Sequence, residues 1–309
     1  MQGWMIALIV IASVIFVIVA AFFIGSFIAV SKVLGRRKPH KPSPELQKKY
    51  GLDMTWYDEV RDLMETVSIV SYDGLTLRSY LIKHAEPTSK VAICHHGYGD
   101  KPLSMQPQAK IFYDMGYDVL LPAARAHDIS DGKYIGMAWL DRFDMLRWVD
   151  KMVDLYGSGV SIALLGVSMG GSTVIAASGM TPPPQVKCVI DDCGFSSQRE
   201  EYYACLKKVP LPKAFALLPL TIGVRLKLGY SISDADISAL AAKADIPVLF
   251  IHGENDDFVP YELGKKMYDV CGSADKEFYS VKDAGHALCY ATDPDSYRDR
   301  VSAFCDKYM

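Results

Sequence analysis

Short β-rich runs alternate with helical segments from about residue 66 to the C-terminus, and this alternation restricts the chain to few folds. The runs with strand character are VSIVS, LRSYLIK, KVAICHH, DVLLP, VSIALLG, KCVID, IPVLFIH and KEFYSV. Helical spacing lies between the later runs, over residues 105–115, 139–156, 169–179, 260–271 and 293–308. Strands that are apolar nearly throughout and are separated by helices predict a mostly parallel α/β sheet with helices on both faces. The first two runs, joined through YDGL, predict an antiparallel hairpin at one edge.

The N-terminal stretch WMIALIVIASVIFVIVAAFFIGSFIAV, residues 4–30, contains no charged residue. It is longer than the ~7–15-residue apolar core of a signal peptide. As a helix it would reach about 40 Å, more than the ~30 Å hydrocarbon thickness, so a tilt or an overhang into the headgroups is expected. We predict a transmembrane anchor over residues 1–31 that contacts the lipid bilayer through residues 4–30. The alternative is a buried core helix.

Flanking charge predicts the orientation of this anchor. Only the α-amine precedes the span, whereas five basic residues follow it closely: Lys32, Arg36, Arg37, Lys38 and Lys41. The positive-inside rule then places the body of this single-pass membrane protein at the cytoplasmic face.

Composition excludes two other classes of protein. The net charge is −3 and no basic stripe interleaved with aromatic residues follows the anchor, which argues against nucleic acid as a partner. The seven cysteines are odd in number and lack the spacing of a disulfide framework or a zinc site. We therefore expect buried free thiols, which also favour the cytoplasmic face.

The chain of 309 residues is long enough for one large domain. After the anchor, residues 32–64 read as a basic juxtamembrane stalk and a short helix, and residues 65–309 as the domain. Between about residues 198 and 242 the strand–helix alternation stops, and helical pieces are interrupted by Pro210, Pro212 and Pro219. We interpret this segment as an inserted lid; the alternative is an ordinary crossover with a long loop.

The sequence LLGVSMGGSTV places Ser168 in a G-x-S-x-G pattern, between the run VSIALLG and a helical segment. A serine on a sharp strand-to-helix turn needs small neighbours so that the backbone can take strained dihedrals, and Gly166, Gly170 and Gly171 provide them. The turn also directs the Met169 N–H toward an oxyanion formed at the serine. The pattern indicates a nucleophile; the alternative is a glycine-rich helix start that Ser168 only caps.

A serine hydroxyl becomes a good nucleophile when a histidine takes its proton and a carboxylate orients that histidine. His286, in KDAGHALCY, follows the last strand run, at the edge where open α/β sheets hold their sites. We expect Gly285 to let its ring turn toward that edge. The loop after the preceding strand, HGENDDFVP, offers Asp256 and Asp257. Adjacent side chains in an extended loop point to opposite sides, so only one of them can face His286.

Five blocks, HHGYG, GVSMGG, DDCGFSS, HGENDDFVP and AGH, resemble the α/β-hydrolase superfamily in their order and spacing. The sequences YIGMAWLDRFDMLRWV and DCGFSS are similar to those of membrane-tethered or exported hydrolases of Gram-positive bacteria, related to serine aminopeptidases and prolyl-oligopeptidase-like esterases. The resemblance covers about residue 67 to the C-terminus. It implies an α/β-hydrolase fold: a mostly parallel eight-stranded sheet with helices on both faces and a small helical lid, here preceded by one transmembrane helix. Many of these relatives work outside the cell, which opposes the cytoplasmic prediction.

The resemblance also implies roles for individual residues. In the pattern H-G-x-x-D-x-x-V-P the acid falls on Asp256, which forms a catalytic triad with Ser168 and His286. The oxyanion hole falls on the main-chain N–H groups of Tyr98 and Met169. This chemistry needs neither a metal ion nor an organic cofactor.

These observations predict a serine hydrolase that cleaves a carboxylic ester through an acyl-enzyme intermediate. A small-molecule ester is the expected substrate, because the predicted lid is apolar and aromatic, with Tyr202, Tyr203, Phe215 and Leu217. An aminopeptidase or prolyl-type peptidase acting on a short peptide is the alternative, since Glu200 and Glu201 would suit a peptide N-terminus. A different class is a catalytically inactive, membrane-tethered binding module on the same fold.

Overall fold

The computed structural model describes residues 3–37 and 55–309. Within these ranges the strands are β1 Met64–Val70, β2 Thr76–Ile82, β3 Lys90–His95, β4 Asp118–Pro122, β5 Ser161–Val167, β6 Val186–Asp192, β7 Val248–Gly253 and β8 Lys276–Val281. The α-helices are α1 Gly3–Val33, α2 Trp56–Val60, α3 Gln106–Asp114, α4 Asp141–Tyr156, α5 Met169–Ser178, α6 Gln198–Cys205, α7 Lys213–Leu228, α8 Ile237–Ala241, α9 Tyr261–Val270, α10 Cys289–Thr292 and α11 Pro294–Tyr308. Every strand run and helical segment expected from the sequence contains the expected element.

The strands form one sheet in the order β1-β2-β4-β3-β5-β6-β7-β8. β1 and β2 form an antiparallel hairpin, and β2 is also antiparallel to β4. The other neighbouring pairs are parallel. The predicted sheet with its edge hairpin is therefore confirmed. Because parallel strands end at the same edge, the loops after β3, β5, β7 and β8 come together there.

Helices cover both faces of the sheet, and each face has its own apolar core. Along β3, Val91 and Ile93 enter one core, while Ala92 and Cys94 enter the other. The first core is completed by side chains of α4, α5 and α9, and the second by side chains of α3 and α11. Burial on both faces explains why the strand runs read as nearly continuous apolar stretches.

Helix α1 has two parts that differ in their contacts. Its side chains are exposed or half-buried as far as Ile24, whereas Ser26, Val30 and Leu34 are buried at its end. This end packs on α7, where a Cβ on Gly223 would collide with Ser26 and Val30. The apolar window of α1 is not buried in the protein, so the buried core helix is not observed. By length and composition α1 is suited to cross a membrane.

The segment after α1 is tied to the domain by main-chain hydrogen bonds. The Ile135 N–H donates to the Leu34 carbonyl oxygen at 2.6 Å, and the Arg36 N–H donates to the Lys133 carbonyl oxygen at 2.9 Å. Of the stalk expected over residues 32–64, residues 38–54 lie outside the described residues. The part up to residue 37 lies on the domain, and residues 56–63 form α2 and a 3₁₀ turn.

The segment expected to be a lid consists of α6, a 3₁₀ turn (Leu206–Lys208), α7 and α8. Pro210 and Pro212 precede α7, but Pro219 lies inside it. The expected interruption at Pro219 is therefore wrong. A proline within a helix removes one main-chain hydrogen bond, and packing of Leu217 and Leu220 into the core keeps α7 continuous.

Candidate active site

Ser168 lies between β5 and α5 in a strained backbone conformation. Its φ of 57° and ψ of −117° fall in a region that residues with side chains rarely adopt. Its hydroxyl makes no cap hydrogen bond to α5. The hydroxyl instead lies against His286, so Ser168 is not simply a helix cap.

The glycines around Ser168 provide space for a tight turn. A Cβ on Gly166 would collide with the main chain of Gly170, and a Cβ on Gly170 would collide with the carbonyl group of His95. A Cβ on Gly171 would collide with a carboxylate of β6. None of the three glycines has a positive φ, which here belongs to the serine itself. The turn at Ser168 therefore needs small neighbours, as expected, because the main chain packs closely around the three glycines and not because the glycines adopt unusual backbone dihedrals.

Ser168, His286 and Asp256 form a hydrogen-bonded chain. Ser168 Oγ lies 2.9 Å from His286 Nε2, and His286 Nδ1 lies 2.8 Å from Asp256 Oδ2. Asp256 Oδ1 accepts the main-chain N–H groups of Phe258 and Val259 at 3.0 and 2.8 Å, which holds the carboxylate in place. With Nδ1–H donating to the carboxylate, Nε2 is the nitrogen that can accept the serine proton.

The two aspartates of this loop have different environments. Asp256 is 5 % exposed, whereas Asp257 is exposed. Burial by itself raises the pKa of Asp256, but hydrogen bonds from His252 and His286 outweigh it and bring the pKa to about 2. Asp256 is therefore ionised at neutral pH.

His252 is a member of this site that the sequence reasoning missed. Its Nε2 lies 3.5 Å from Asp256 Oδ2 and 3.0 Å from the Val259 carbonyl oxygen. Burial lowers the pKa of His252, but its hydrogen bonds with Asp256 and the Val259 carbonyl group, together with the nearby carboxylate charges, outweigh burial, so its pKa is raised. A signal was present, because His252 opens the same HGENDDFVP motif four residues before the acid.

The two predicted oxyanion residues both lie beside Ser168. The loop after β3 passes close to the serine: a Cβ on Gly97 would lie 3.5 Å from Ser168 Cβ. Tyr98, the next residue, lines the cavities on both sides of Ser168. Met169 is the first residue of α5, so its N–H has no acceptor within the helix. Its amide is free to bind an anion at the helix start.

Three histidines support the loop after β3. His96 Nε2 accepts the Ala124 N–H at 3.1 Å, and His127 Nε2 accepts the Gly99 N–H at 3.0 Å. Burial lowers the pKa of His95 and His127 to about 4, and that of His96 well below its ordinary value. These rings are therefore neutral and act as hydrogen-bonding partners of the main chain.

Two cavities meet at Ser168. The first has a volume of about 520 Å³ and a largely apolar wall made by α1, α6, α7 and the serine loop. Its contributors from α1 are Gly25, Ala29 and Val33. The second has a volume of about 480 Å³ and includes polar side chains, among them Asp100, Ser104 and Gln108. The Phe258 ring borders both cavities and packs on His286, with ring centroids 4.8 Å apart.

The two glutamates of α6 have different positions. Glu200 pairs with Lys266 at 2.7 Å on the outside of the domain. Glu201 is buried in the wall of the first cavity, and its Oε2 has no hydrogen-bond partner among the described residues. Burial raises the pKa of Glu201 to about 7. Of the two, Glu201 is the one that a bound molecule would meet.

Cys193, Asp256 and His286 bring potential metal ligands within 4.8 Å of one another, the one such group found among the described residues. Burial raises the pKa of the Cys193 thiol well above its ordinary value, so the thiol stays protonated and is a poor metal ligand. Asp256 and His286 are bonded to each other. The group therefore fits a metal ion poorly.

Gly285 takes no special backbone conformation, and the contribution of α1 to the cavity wall was not predicted from the sequence. Gly285 lacks a positive φ, and a Cβ there would make only ordinary contacts; the left-handed residues of this loop are Asp283 and Ala287, with φ of 61° and 56°. The wall provided by α1 had a weak signal, since Gly25 and Ala29 are small residues spaced four apart on a helix.

The sequence is similar to a known protein family and to individual proteins of bacteria and yeast. The model of the family described as serine aminopeptidase, S33, matches residues 218–293. The uncharacterized protein YqkD of Bacillus subtilis (strain 168) is 25 % identical over 253 residues, which cover 81 % of this chain and 82 % of that protein. Protein bem46 of Schizosaccharomyces pombe is 25 % identical over 234 residues, covering 72 % of this chain and 70 % of that protein.

Solved structures share the fold. An esterase of Pyrococcus furiosus superposes with a TM-score of 0.68 at 21 % sequence identity, over 90 % of this chain and 100 % of that one. An esterase of Exiguobacterium antarcticum superposes with a TM-score of 0.58 at 15 % identity, over 77 % of this chain and 98 % of that one. At these identities the likeness shows the α/β-hydrolase fold, with an eight-stranded, mostly parallel sheet.

Proposed function

Because the chain is a member of the α/β-hydrolase superfamily, we propose that it is a serine hydrolase that cleaves carboxylic esters. The observation that carries this proposal is the hydrogen-bonded chain from Ser168 through His286 to Asp256 beside an apolar cavity. Three separate loops supply these side chains at one edge of the sheet, in the order that this fold uses for a nucleophile, an acid and a base.

In the proposed reaction, Ser168 Oγ attacks the carbonyl carbon of the ester while His286 Nε2 takes the serine proton. The N–H groups of Tyr98 and Met169 donate to the oxyanion of the tetrahedral intermediate. His286 then gives its proton to the leaving alcohol, and the acyl group remains on Ser168. Water, deprotonated by His286, attacks the acyl-enzyme and releases the carboxylic acid. Asp256 stays ionised throughout, in keeping with its low pKa, and stabilises the imidazolium.

An aminopeptidase is the second candidate, and Glu201 is the observation that favours it. A carboxylate in the cavity wall would pair with the ammonium group of a peptide. However, burial raises the pKa of Glu201 to about 7, so much of this carboxyl group is neutral at neutral pH. A neutral carboxyl group binds an ammonium ion weakly, and the remaining wall is apolar. Ester substrates therefore fit the cavity better.

Labelling with a fluorophosphonate tests the nucleophile. We expect the full-length protein and a Ser158→Ala variant to be labelled, because Ser158 is an exposed serine remote from the site in the fold. We expect no label on Ser168→Ala. Equal labelling of all three proteins would refute Ser168 as the nucleophile, and the absence of any label would favour an inactive binding module.

Comparing turnover of p-nitrophenyl butyrate with that of aminoacyl p-nitroanilides tests the bond that is cleaved. The ester should have the higher kcat/KM, and Ser168→Ala should abolish its hydrolysis above background. A preference for the anilide that disappears in Glu201→Gln would instead support the aminopeptidase.

A further inference from the structure

One face of α1 forms part of the wall of the apolar cavity beside Ser168. Gly25, Ala29 and Val33 are spaced four residues apart and line the cavity together. The neighbouring side chains Phe27 and Ile28 lie on the other side of the helix and are exposed. The helix expected to enter the membrane therefore also forms part of the site.

The contacts of α1 indicate the level of the membrane surface. The part that lies free of the domain ends at Ile24 and, at 1.5 Å per residue, reaches about 33 Å. This matches the ~30 Å thickness of the hydrocarbon layer. Gly25, the first α1 residue in the cavity wall, then lies at the boundary between the bilayer and the domain. The cavity begins where the hydrocarbon layer ends.

The lid segment, which lines the cavity opposite α1, also carries exposed apolar side chains. They surround the start of α7, and the most exposed are Leu211 and Phe215, at 52 % and 66 %, joined by Val209 and Leu218. Such a cluster is costly in water and favourable in contact with acyl chains. Lys213, also exposed, lies within the cluster and suits anionic headgroups. This surface fits a membrane better than bulk water.

Tyr98 links α1 directly to the proposed oxyanion hole. Its hydroxyl donates a hydrogen bond to the main-chain carbonyl oxygen of Val33, near the end of α1. The same residue borders both cavities at Ser168. The wall that α1 provides is thus held in a definite position relative to the nucleophile.

We propose that the substrate is a long-chain acyl ester dissolved in the lipid bilayer. Its acyl chain enters the cavity between α1 and α7 from the membrane, and its carbonyl group reaches Ser168. The alcohol part lies in the second, more polar cavity, near Asp100, Ser104 and Gln108. This inference rests on the proposed serine hydrolase function and specifies its substrate. Ser168 takes the acyl group, the alcohol leaves with the proton from His286, and water then releases the fatty acid.

Full-length protein in phosphatidylcholine vesicles tests the inference, with p-nitrophenyl palmitate and p-nitrophenyl butyrate as probes. The measured quantity is the ratio of kcat/KM for palmitate to that for butyrate, with each rate normalised to the fraction of protein that a fluorophosphonate labels. Ala29→Phe fills the wall of the cavity, and Ile28→Phe places the same ring on the exposed side of α1. Ala29→Leu provides an intermediate volume should the larger ring prevent folding.

We expect Ala29→Phe to lower the palmitate-to-butyrate ratio by at least about tenfold, since each methylene excluded from an apolar wall costs roughly fourfold in affinity. Ala29→Leu should have a smaller effect in the same direction, and Ile28→Phe should keep the wild-type ratio. An unchanged ratio in both Ala29 variants, with butyrate still hydrolysed by Ser168, would overturn the acyl site and leave the hydrolase standing. If the wild-type protein hydrolysed neither p-nitrophenyl palmitate nor p-nitrophenyl butyrate, the proposed hydrolase function itself would be refuted.

Discussion

At the scale of single residues, burial and hydrogen bonds separate groups that look alike along the chain. Asp256 and Asp257 are neighbours of the same chemical type, but only Asp256 is buried and bonded to two histidines. Glu200 and Glu201 differ in the same way, since one pairs with a surface lysine and the other lines the cavity. Function at this site therefore depends on where each carboxyl group points.

We predict that Asp256→Asn lowers kcat by about 10⁴, as the corresponding change does in the serine-protease triad, because the amide favours the wrong imidazole tautomer. Asp257→Asn is the matched control and should retain activity within about tenfold, because its carboxylate is solvated. Steady-state hydrolysis of p-nitrophenyl butyrate provides the measurement. A larger loss in Asp257→Asn would show that the acid has been assigned to the wrong aspartate.

The sequence predicted which residues lie together where a motif joins a residue to its element. Ser168, Asp256 and His286 each follow a strand that is recognisable locally, and parallel strands deliver their ends to one edge. The orientation of Glu201 depends on packing between distant segments, which no local pattern records, whereas His252 lies in the same motif as Asp256 and contacts it there. In the loop that carries His286 the left-handed residues are Asp283 and Ala287 and not the glycine, which the residue types alone would not indicate.

At the scale of elements, the crossing of α1 and α7 requires a residue without a side chain. Gly223 has an ordinary φ, so its role is to let the two helices approach at Ser26 and Val30. Small residues at such crossings are typical of helices that pack closely in or near membranes. The crossing sets the distance between the two walls of the apolar cavity.

Gly223→Leu should therefore destabilise the protein by about 1–3 kcal/mol through overpacking. In a chain of this size each kcal/mol lowers Tm by roughly 2–4 °C. Thermal unfolding of the detergent-solubilised protein gives the measurement, with Ala214→Leu as control, since Ala214 is exposed on the same helix. Equal Tm values for the two variants would mean that α1 does not pack on α7 in the membrane protein.

Elements were predicted well from sequence where their signals are local. Each strand buried on two faces is an apolar run, and each surface helix repeats apolar residues at helical intervals. Two features depend on tertiary contacts and were not foreseen: α7 continues through Pro219, and the end of α1 lies on the domain. Because residues 26–34 pack on the domain, the second feature accounts for apolar length beyond the hydrocarbon thickness, for which a tilt or an overhang into the headgroups was expected.

At the scale of the whole molecule, flanking charge indicates which side of the membrane holds the domain. Lys32, Arg36 and Arg37 lie just after the free part of α1, whereas residues 1–24 contain no charged side chain. We predict that the domain is cytoplasmic. Six of the seven free thiols are buried, as expected, whereas that of Cys205 is exposed; free thiols agree with a reducing compartment.

A C-terminal fusion of green fluorescent protein should fluoresce in cells, whereas a C-terminal alkaline phosphatase fusion should be inactive. Three arginines inserted after Met1 give the matched control, since they oppose the charge difference and should move part of the population to the other orientation. An active phosphatase fusion on the unaltered chain would place the domain outside the cell.

The position of α1 also bears on how such a chain can evolve. A segment that only tethers a domain can be exchanged for a lipid attachment or lost with little consequence for chemistry. Here its loss would take away the Val33 carbonyl group that Tyr98 binds and open the apolar cavity along one side. Selection on substrate preference would then act on residues 25–34 as well as on the loops around Ser168. A descendant without α1 would need another segment to close the apolar cavity.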